Sequence, residues 1–408
     1  MKDVYFRTVY VSVMVASLLC IPSSSFGSGF GIFTQGASAL GQGAAVVAHN
    51  DSPSAIFYNP ALINGLPGTQ LEVGTTLIFP TREFTSATTG ATTGTEDKVF
   101  FPSTVYITHA FSNSLSAGLG IFNPFGLATT WPADWEGRYI ATASELRTYN
   151  INPVASYRIT PELSLAAGLD IIFLEATLES KIPSAALGIP GPAFDVAQKF
   201  DGSGNGIGYN LGLLLKVNDA LSIGASYRSE VKIDVDGDLS LSIAPQSISG
   251  NTTITLPQQV SAGISYKPND ALILEAGMRW EDWSSFDQLK IDIAGQPSAI
   301  TPRDWRGTFA LNAGGKYRLN GTFTMTAGYL YGWNPVPDST FEPAIPDSNT
   351  HLFCLGGEGQ FAKVKVALGY AYQLQYERSK ATNLYGPSAN GTYDSHLHLL
   401  AISLGYKF

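Results

Sequence analysis

From residue 70 to the C-terminus, apolar and polar side chains alternate along the chain with a period of two. Within 363–376, one face carries Val364, Val366, Leu368, Tyr370, Tyr372, Leu374 and Tyr376, and the other carries lysine, alanine, glycine and glutamine. Alternation of this kind predicts β-strands with one apolar face. The runs are roughly 10 to 15 residues long, which exceeds the usual strand of a soluble sheet and suits a tilted strand that crosses a bilayer.

The connections between these strands alternate between tight turns and long loops. The pattern predicts fourteen strands, at 70–80, 102–111, 115–122, 146–158, 162–177, 206–217, 221–233, 254–267, 271–283, 306–318, 322–334, 349–360, 363–377 and 394–408. Short turns at one end and long loops at the other are typical of outer-membrane barrels, and a sheet in lipid has to close because every backbone amide needs a partner. We therefore predict an all-β fold, a transmembrane antiparallel β-barrel of 14 strands over 70–408, in the bacterial outer membrane.

The first 27 residues have the organisation of a secretory signal peptide. Lys2 and Arg7 precede an apolar stretch over 9–21, and small residues lead to Gly27, after which we expect cleavage. The apolar stretch is too short to serve as a membrane anchor. Because Cys20 lies in this stretch, Cys354 remains as the single cysteine of the mature chain, and no internal disulfide is expected.

Residues 28–69 are rich in glycine and alanine and lack alternation. A segment at this position, just before the first strand, has room to fold back into the lumen of a fourteen-strand barrel. The alternative is a periplasmic tail. Low charge and apolar residues such as Ile32, Val46 and Ile56 argue against a solvated tail, so we predict an N-terminal plug, or hatch, inside the lumen.

The composition and the motifs of the chain argue against nucleic-acid binding and against catalysis. Only 14% of the 408 residues are charged, 44% are hydrophobic, and the formal net charge is −9 without a basic run, so nucleic acid is not expected as a partner. The chain has five histidines and no Gly-x-Ser-x-Gly sequence, and we predict no catalytic residues, no cofactor and no metal site. A lipase-like barrel enzyme and a general diffusion porin remain as alternatives, although the 28–69 segment argues against an open pore.

Several stretches of the chain carry a family resemblance. The sequence GFGIFTQGASALGQGAAVVAHNDSPSAIFYNPALINGL, with Asn59-Pro60-Ala61 as its hatch motif, resembles the hatch of FadL/TodX-type outer-membrane transporters of hydrophobic compounds. Further matches are Leu256-Pro257, Trp283-Ser284-Ser285-Phe286, and the proline-rich residues 335–338 and 345–348. Together these matches extend over nearly the whole mature chain.

The resemblance implies a monomer that passes long-chain fatty acids or aromatic hydrocarbons inward without energy input at the outer membrane. Its expected partners are these hydrophobic small molecules, detergent in vitro, and outer-membrane lipid. In the family, ligand is caught in a groove between two long extracellular loops, here 178–205 and 234–253, and moves to a pocket beside the hatch. A rearrangement of the hatch then releases ligand sideways through a gap in the third strand.

The resemblance places that gap around 115–126, where Asn123, Pro124 and Gly126 form a possible strand kink; the alternative is that these residues begin a loop. We expect aromatic residues of the hatch and of this region to line the ligand site, namely Phe30, Phe33, Phe122 and Phe125.

Fatty-acid transporters of the family hold a carboxylate with basic groups in the lumen. Arg279 and Lys316 are the possible carboxylate partners here, because alternation turns them inward. Alternation also turns inward Arg228, Asp170, Glu230, Glu275 and Glu358. The alternative interpretation is that these charged side chains pair with one another. The choice between a fatty acid and a neutral hydrocarbon as ligand therefore stays open.

Overall fold

A computed structural model describes residues 29–188 and 194–408. The predicted signal peptide, 1–27, lies outside the described residues. The strands are β1 Thr69–Ser86, β2 Thr92–Gly94, β3 Ser103–Ala110, β4 Leu115–Phe122, β5 Gly126–Thr130, β6 Ala143–Arg158, β7 Leu163–Ile182, β8 Val196–Lys216, β9 Leu221–Arg228, β10 Val231–Leu241, β11 Ile248–Leu256, β12 Gln259–Tyr266, β13 Leu272–Glu281, β14 Gln288–Ile293, β15 Ala299–Pro302, β16 Thr308–Arg318, β17 Phe323–Gly332, β18 Thr350–Phe361, β19 Val364–Gln375, β20 Arg378–Lys380 and β21 Gly391–Lys407.

Helices are few and short in the described part of the chain. They are the α-helices Ala37–Gly41 and Ala55–Tyr58 and the 3₁₀ helices Pro60–Gly65, Ser184–Leu187 and Trp283–Ser285. None of the helices in residues 29–188 and 194–408 is long and apolar enough to cross a membrane.

The strands form one closed antiparallel barrel. β1 pairs with β21 from Gln70↔Lys407 to Ser86↔Gly391 and pairs with β3 on its other side, so the sheet has no free edge at the chain ends. Several wall strands consist of two segments in line, such as β4 with β5 and β9 with β10. Counted as wall strands, the described residues form a 14-stranded barrel, and the predicted fold class is confirmed.

The predicted alternation between lipid and lumen is present along the wall. On β19, Leu368 is 53% exposed on the outer face, whereas Ala371 is fully buried on the inner face. On β17, Met325 is 55% exposed and Leu330 is buried. Because neighbouring residues of a strand point to opposite faces, one apolar side meets lipid while the smaller and more polar side fills the lumen.

A bulge at Ser229–Glu230 reverses this alternation within one wall strand. Arg228 at the end of β9 is buried in the lumen, and beyond the bulge Val231 and Ile233 on β10 are the buried residues. The Ser229 amide donates to the Tyr209 carbonyl at 2.9 Å. One extra residue in a strand shifts every following side chain to the other face. The prediction that Glu230 faces the lumen was therefore wrong, since Glu230 is exposed.

The strands on the extracellular side are longer than the sequence pattern predicts. β7 extends to Ile182 and β8 begins at Val196, while β10 ends at Leu241 and β11 begins at Ile248. More than half of the residues in the predicted loops 178–205 and 234–253 therefore belong to strands. The loops themselves are shorter than the ligand groove predicted between them requires. Residues 189–193 of the first loop lie outside the described residues.

Residues 29–66, which we call the inner segment, fill the lumen. The helix Ala37–Gly41 packs against β17, β18, β19 and β21, and the 3₁₀ helix Pro60–Gly65 packs against β4, β6, β7 and β8. Glycines in the wall allow backbone to meet backbone. A Cβ built on Gly328 would lie 2.1 Å from the main chain of Gln42, and one on Gly224 would lie 2.1 Å from the carbonyl oxygen of Val47.

Candidate functional site

One wall strand is interrupted between Phe122 and Gly126. β4 pairs with β6 up to Phe122↔Asn150, and β5 resumes this pairing from Gly126↔Arg147, one residue out of step. The side chain of Asn123 bridges the interruption: its Nδ2 donates to the Thr148 carbonyl at 2.6 Å, and its Oδ1 accepts from the Ser103 amide at 3.2 Å. Because the strand resumes, Asn123, Pro124 and Gly126 interrupt a wall strand and do not begin an extracellular loop.

The inner segment pairs with the chain at this interruption. The Ile32 amide donates to the Pro124 carbonyl at 2.8 Å, and the Gly126 amide donates to the Phe30 carbonyl at 2.9 Å. Gly31 and Phe125 form the antiparallel bridge between these two bonds. The backbone groups that the interruption leaves without a neighbouring strand are thus satisfied by residues from inside the barrel.

Phe30 lies at the centre of an aromatic cluster. Its ring centroid is 4.5 Å from that of Trp283, 5.8 Å from Trp305, 5.9 Å from Phe286 and 6.1 Å from Phe125. Edge-to-face contacts at these distances add to the apolar burial. The cluster fixes the start of the inner segment beside the interrupted strand, and two of the predicted lining residues, Phe30 and Phe125, belong to it.

A cavity lies beside this cluster, between the inner segment and strands β9, β12, β13, β16 and β17. Its open space is about 630 Å³, including the part open to solvent. Apolar side chains of the inner segment and wall line one part of it: Phe33, Val47, Phe57, Ala310 and Leu330. Phe33, the third predicted lining residue, therefore faces the cavity.

Two arginines bring positive charge to the same cavity. Arg228 pairs with buried Asp170, which also accepts hydrogen bonds from Asn150 and Asn210. The Nη2 of Arg279 donates to Oε1 of Glu281 at 2.7 Å, and its guanidinium carbon lies 5.3 Å from the Phe33 ring. The buried Nε of Arg279 has no hydrogen-bond partner among the described residues. Arg279 is thus the cavity's cation with an unused donor.

Lys316 lies in a different group of charges, outside the cavity lining. Its Nζ is 2.7 Å from Asp51 of the inner segment, and Lys365 lies 2.8 Å from the same carboxylate and 3.0 Å from Glu358. Ser38 also donates to Glu358. The cluster ties the inner segment to β16, β18 and β19. Of the two predicted carboxylate partners, only Arg279 faces the apolar cavity.

The Asn59-Pro60-Ala61 motif fixes the inner segment to the wall. The Nδ2 of Asn59 donates to the carbonyls of Val47 and Leu213 at 2.8 and 2.9 Å, and its Oδ1 accepts from the Ala61 amide. Pro60 is the first residue of the 3₁₀ helix, where the missing amide hydrogen costs nothing. The motif lies against Gly212 of β8 and does not line the cavity.

Phe122, the remaining predicted lining residue, is fully buried between Phe57 and Tyr106, with ring centroids 5.3 and 5.8 Å away. Phe57, Gln259 and Glu281 are among the cavity residues that were not predicted from the sequence. Glu281 follows Arg279 by two residues on one strand, so period two places both on the lumen face. That spacing was the available indication of their pairing.

Comparison with known proteins places this architecture in a family. A family model described as outer membrane protein transport protein (OMPP1/FadL/TodX) matches residues 18–408. Outer membrane protein P1 of Haemophilus influenzae is 23% identical over 459 residues, covering 97% of this chain and 99% of the relative. A long-chain fatty acid transport protein of Escherichia coli is 24% identical over 383 residues, covering 83% of this chain and 84% of the relative.

Solved structures share the fold. The crystal structure of a Pseudomonas aeruginosa FadL homologue has a TM-score of 0.85 at 20% identity, covering 93% of this chain and all of that one. The Pseudomonas putida toluene transporter TodX has a TM-score of 0.73 at 18% identity, covering 91% of this chain and 98% of that one. The relatives are transporters and not enzymes. The chain therefore belongs to the OMPP1/FadL/TodX family, β-barrel proteins of the bacterial outer membrane that transport hydrophobic compounds.

Proposed function

We propose that this protein takes up long-chain fatty acids across the outer membrane, acting as a monomer. The observation that carries the proposal is the cavity in which Phe33, Val47 and Leu330 lie beside Arg279, whose Nε has an unused hydrogen. Each methylene removed from water contributes about 0.8 kcal/mol, so an acyl chain gains from the apolar wall. A guanidinium is a suitable donor to the carboxylate at the end of that chain.

A neutral aromatic hydrocarbon would leave this donor unused. Burying a hydrogen-bonding group without a partner costs free energy, so a cavity shaped for toluene gains nothing from Arg279. An amphipathic anion uses both the apolar wall and the cation. The fatty-acid assignment of the Escherichia coli relative agrees with this choice, whereas the toluene transporter shares the fold at 18% identity.

The interrupted wall strand supports a lateral route out of the barrel. In this proposal the inner segment, residues 29–66, is the hatch: its residues Phe30–Ile32 leave the break at Pro124–Gly126, and ligand passes from the cavity through the wall into the membrane. The closed state is held there by two backbone hydrogen bonds and the Phe30 aromatic cluster. Both can be broken without unfolding any wall strand, which suits a gate.

The test of ligand class is equilibrium binding to the purified barrel in a non-ionic detergent, using oleate, oleyl alcohol and toluene. We expect oleate to bind most tightly, and Arg279→Gln to weaken oleate about ten-fold, a loss of about 1.4 kcal/mol, without changing oleyl alcohol. Lys316→Gln is the matched control because that lysine lies outside the cavity. Toluene binding that equals or exceeds oleate binding, and that is unaffected in Arg279→Gln, would instead identify a hydrocarbon transporter.

A further inference from the structure

Glu281 is the one acidic side chain among the described residues that line the cavity. It is 4% exposed. Its Oε1 accepts from Nη2 of Arg279 at 2.7 Å and from Nε2 of Gln259 at 2.8 Å. Two donors on one oxygen hold this carboxylate beside the unpaired Nε of Arg279, the donor that the proposed function assigns to a ligand's carboxylate.

The surrounding structure holds Glu281 in this position. Its carboxylate lies against the main chain of Gly31, so closely that a Cβ on Gly31 would be 3.1 Å from Oε1 and 3.5 Å from Oε2. Gln259 on the neighbouring strand fixes the same carboxylate from the other side. A carboxylate that is packed on one side and hydrogen-bonded on the other pays little entropy to pair with Arg279.

This pairing makes the cavity close to neutral. Asp170 offsets Arg228, and Glu281 offsets Arg279. A buried arginine without a counter-ion would be costly, so an acid at this point stabilises the buried Arg279. The same acid opposes an incoming anion, because two carboxylates cannot share one guanidinium edge without repulsion.

Building on the proposed function, we propose that Glu281 determines specificity between charged and neutral hydrophobic ligands. Its carboxylate stays on Nη2 of Arg279, so a fatty acid whose carboxylate binds the unpaired Nε of the same guanidinium lies beside this negative charge. A neutral ligand leaves the Arg279–Glu281 pair intact and fills only the apolar part of the cavity. Glu281 thereby keeps fatty-acid binding moderate, which favours release as well as loading.

The test compares dissociation constants of oleate and oleyl alcohol for wild type, Glu281→Gln and the double variant Arg279→Gln/Glu281→Gln. Glutamine keeps the size of the side chain and its contact with Gly31 but removes the competing charge. We expect Glu281→Gln to tighten oleate about ten-fold relative to oleyl alcohol, and the double variant to lose that gain. Glu358→Gln removes a buried carboxylate that pairs with Lys316 and Lys365. It should leave the ratio of the oleate and oleyl alcohol dissociation constants unchanged.

Two failures can be told apart. If wild type binds oleate and Arg279→Gln weakens it, but Glu281→Gln leaves the ratio unchanged or lowers it, this inference is overturned and the proposed function stands. If wild type binds no oleate, or Arg279→Gln has no effect on it, the proposed function fails and the inference fails with it. A folded barrel in each variant is checked by heat-modifiable migration on gels.

Discussion

The amide of Gly126 in the barrel wall donates to the carbonyl oxygen of Phe30 in the inner segment at 2.9 Å. A wall strand in lipid has no water to satisfy its backbone, so a break between neighbouring strands is tolerated only where another part of the protein supplies the missing partners. Phe30 and Ile32 supply them here. The inner segment therefore completes the wall in addition to filling the lumen.

A disulfide across this junction should block uptake. A Cβ on Gly126 would lie 3.6 Å from Cγ1 of Ile32, so Ile32→Cys with Gly126→Cys, in a Cys354→Ala background, places two thiols within bonding reach. We expect oxidation to abolish oleate uptake by cells and a reducing agent to restore it, because the bond holds the proposed hatch against the break. Each single-cysteine variant serves as control. Undiminished uptake by the cross-linked protein would exclude release at this point.

Replacing Asn59 should loosen the inner segment. Asn59→Ala removes donors to the carbonyls of Val47 and Leu213 and leaves both buried, which should cost roughly 3 kcal/mol of local stability. The expected result is faster amide hydrogen exchange in 44–66 with little change in the wall strands. Asn320→Ala, in a turn between β16 and β17, is the control and should leave 44–66 as protected as in wild type. Equal exchange in Asn59→Ala and wild type would contradict this role.

Asp347 should make stability depend on pH. It lies in the loop before β18, where it accepts from the Gly29 amide at 2.9 Å, and burial raises its pKa to about 7. Between about pH 4 and 7 the folded protein therefore holds a proton that the unfolded chain has lost. The free energy of unfolding should fall as pH rises through this range, on the order of 1.4 kcal/mol per pH unit, and level off above it.

The measurement for Asp347 is urea unfolding of the detergent-solubilised barrel followed by tryptophan fluorescence. Asp347→Asn cannot titrate, so its stability relative to wild type should rise from pH 4 to pH 7. Asp338→Asn in the same loop is the control, because Asp338 is exposed apart from its contact with Arg378. Parallel pH profiles for Asp347→Asn and wild type would show that Asp347 does not carry this dependence.

The charge cluster of Asp51, Lys316, Glu358 and Lys365 should stabilise the closed state to a modest degree. Asp51→Asn leaves Lys316 and Lys365 with Glu358 as their remaining counter-ion among the described residues. Because the Asp51 side chain is 58% exposed, we expect a loss of about 1 kcal/mol, or about a five-fold rise in opening frequency in planar bilayers. Asp219→Asn, in a short turn outside the cluster, should match wild type. An unchanged opening frequency in Asp51→Asn would show that this charge cluster does not stabilise the closed state.

Much of the fold could be predicted because alternation acts residue by residue. The outer faces of β17 and β19 follow the predicted alternation, as the exposed side chains of Met325 and Leu368 show. The bulge at Ser229 could not be predicted, since one extra residue leaves no compositional trace. Nor could the length of β10 and β11, because aspartate and glycine in 234–238 are typical of loops while Val231, Ile233 and Val235 continue inward.

The site was less predictable because its parts come from distant stretches of chain. Arg279 was named from alternation, but alternation alone could not show that Lys316 would pair with Asp51, 265 residues away. The contact of Gly31 with Glu281 depends on how the inner segment enters the lumen. Residue types and the period of two show which side chains of a strand face the lumen. The cavity also depends on which wall strands the inner segment contacts, and the sequence pattern does not show that.

The wall glycines restrict how the inner segment can move. Gln42, Val47 and Asn59 each lie where a wall glycine leaves no space for a Cβ: at Gly328, Gly224 and Gly212. A piston-like shift along the barrel axis would drive the main-chain atoms of Gln42 and Val47 and the side-chain oxygen of Asn59 into the side chains that flank the glycines. The segment is thus fitted to the wall at Gly328 on β17 and at Gly224 and Gly212 on the paired strands β9 and β8. Motion compatible with these contacts is confined to residues 29–36, because the carbonyl oxygen of Ala37 already lies where a Cβ on Gly369 would be 2.6 Å away.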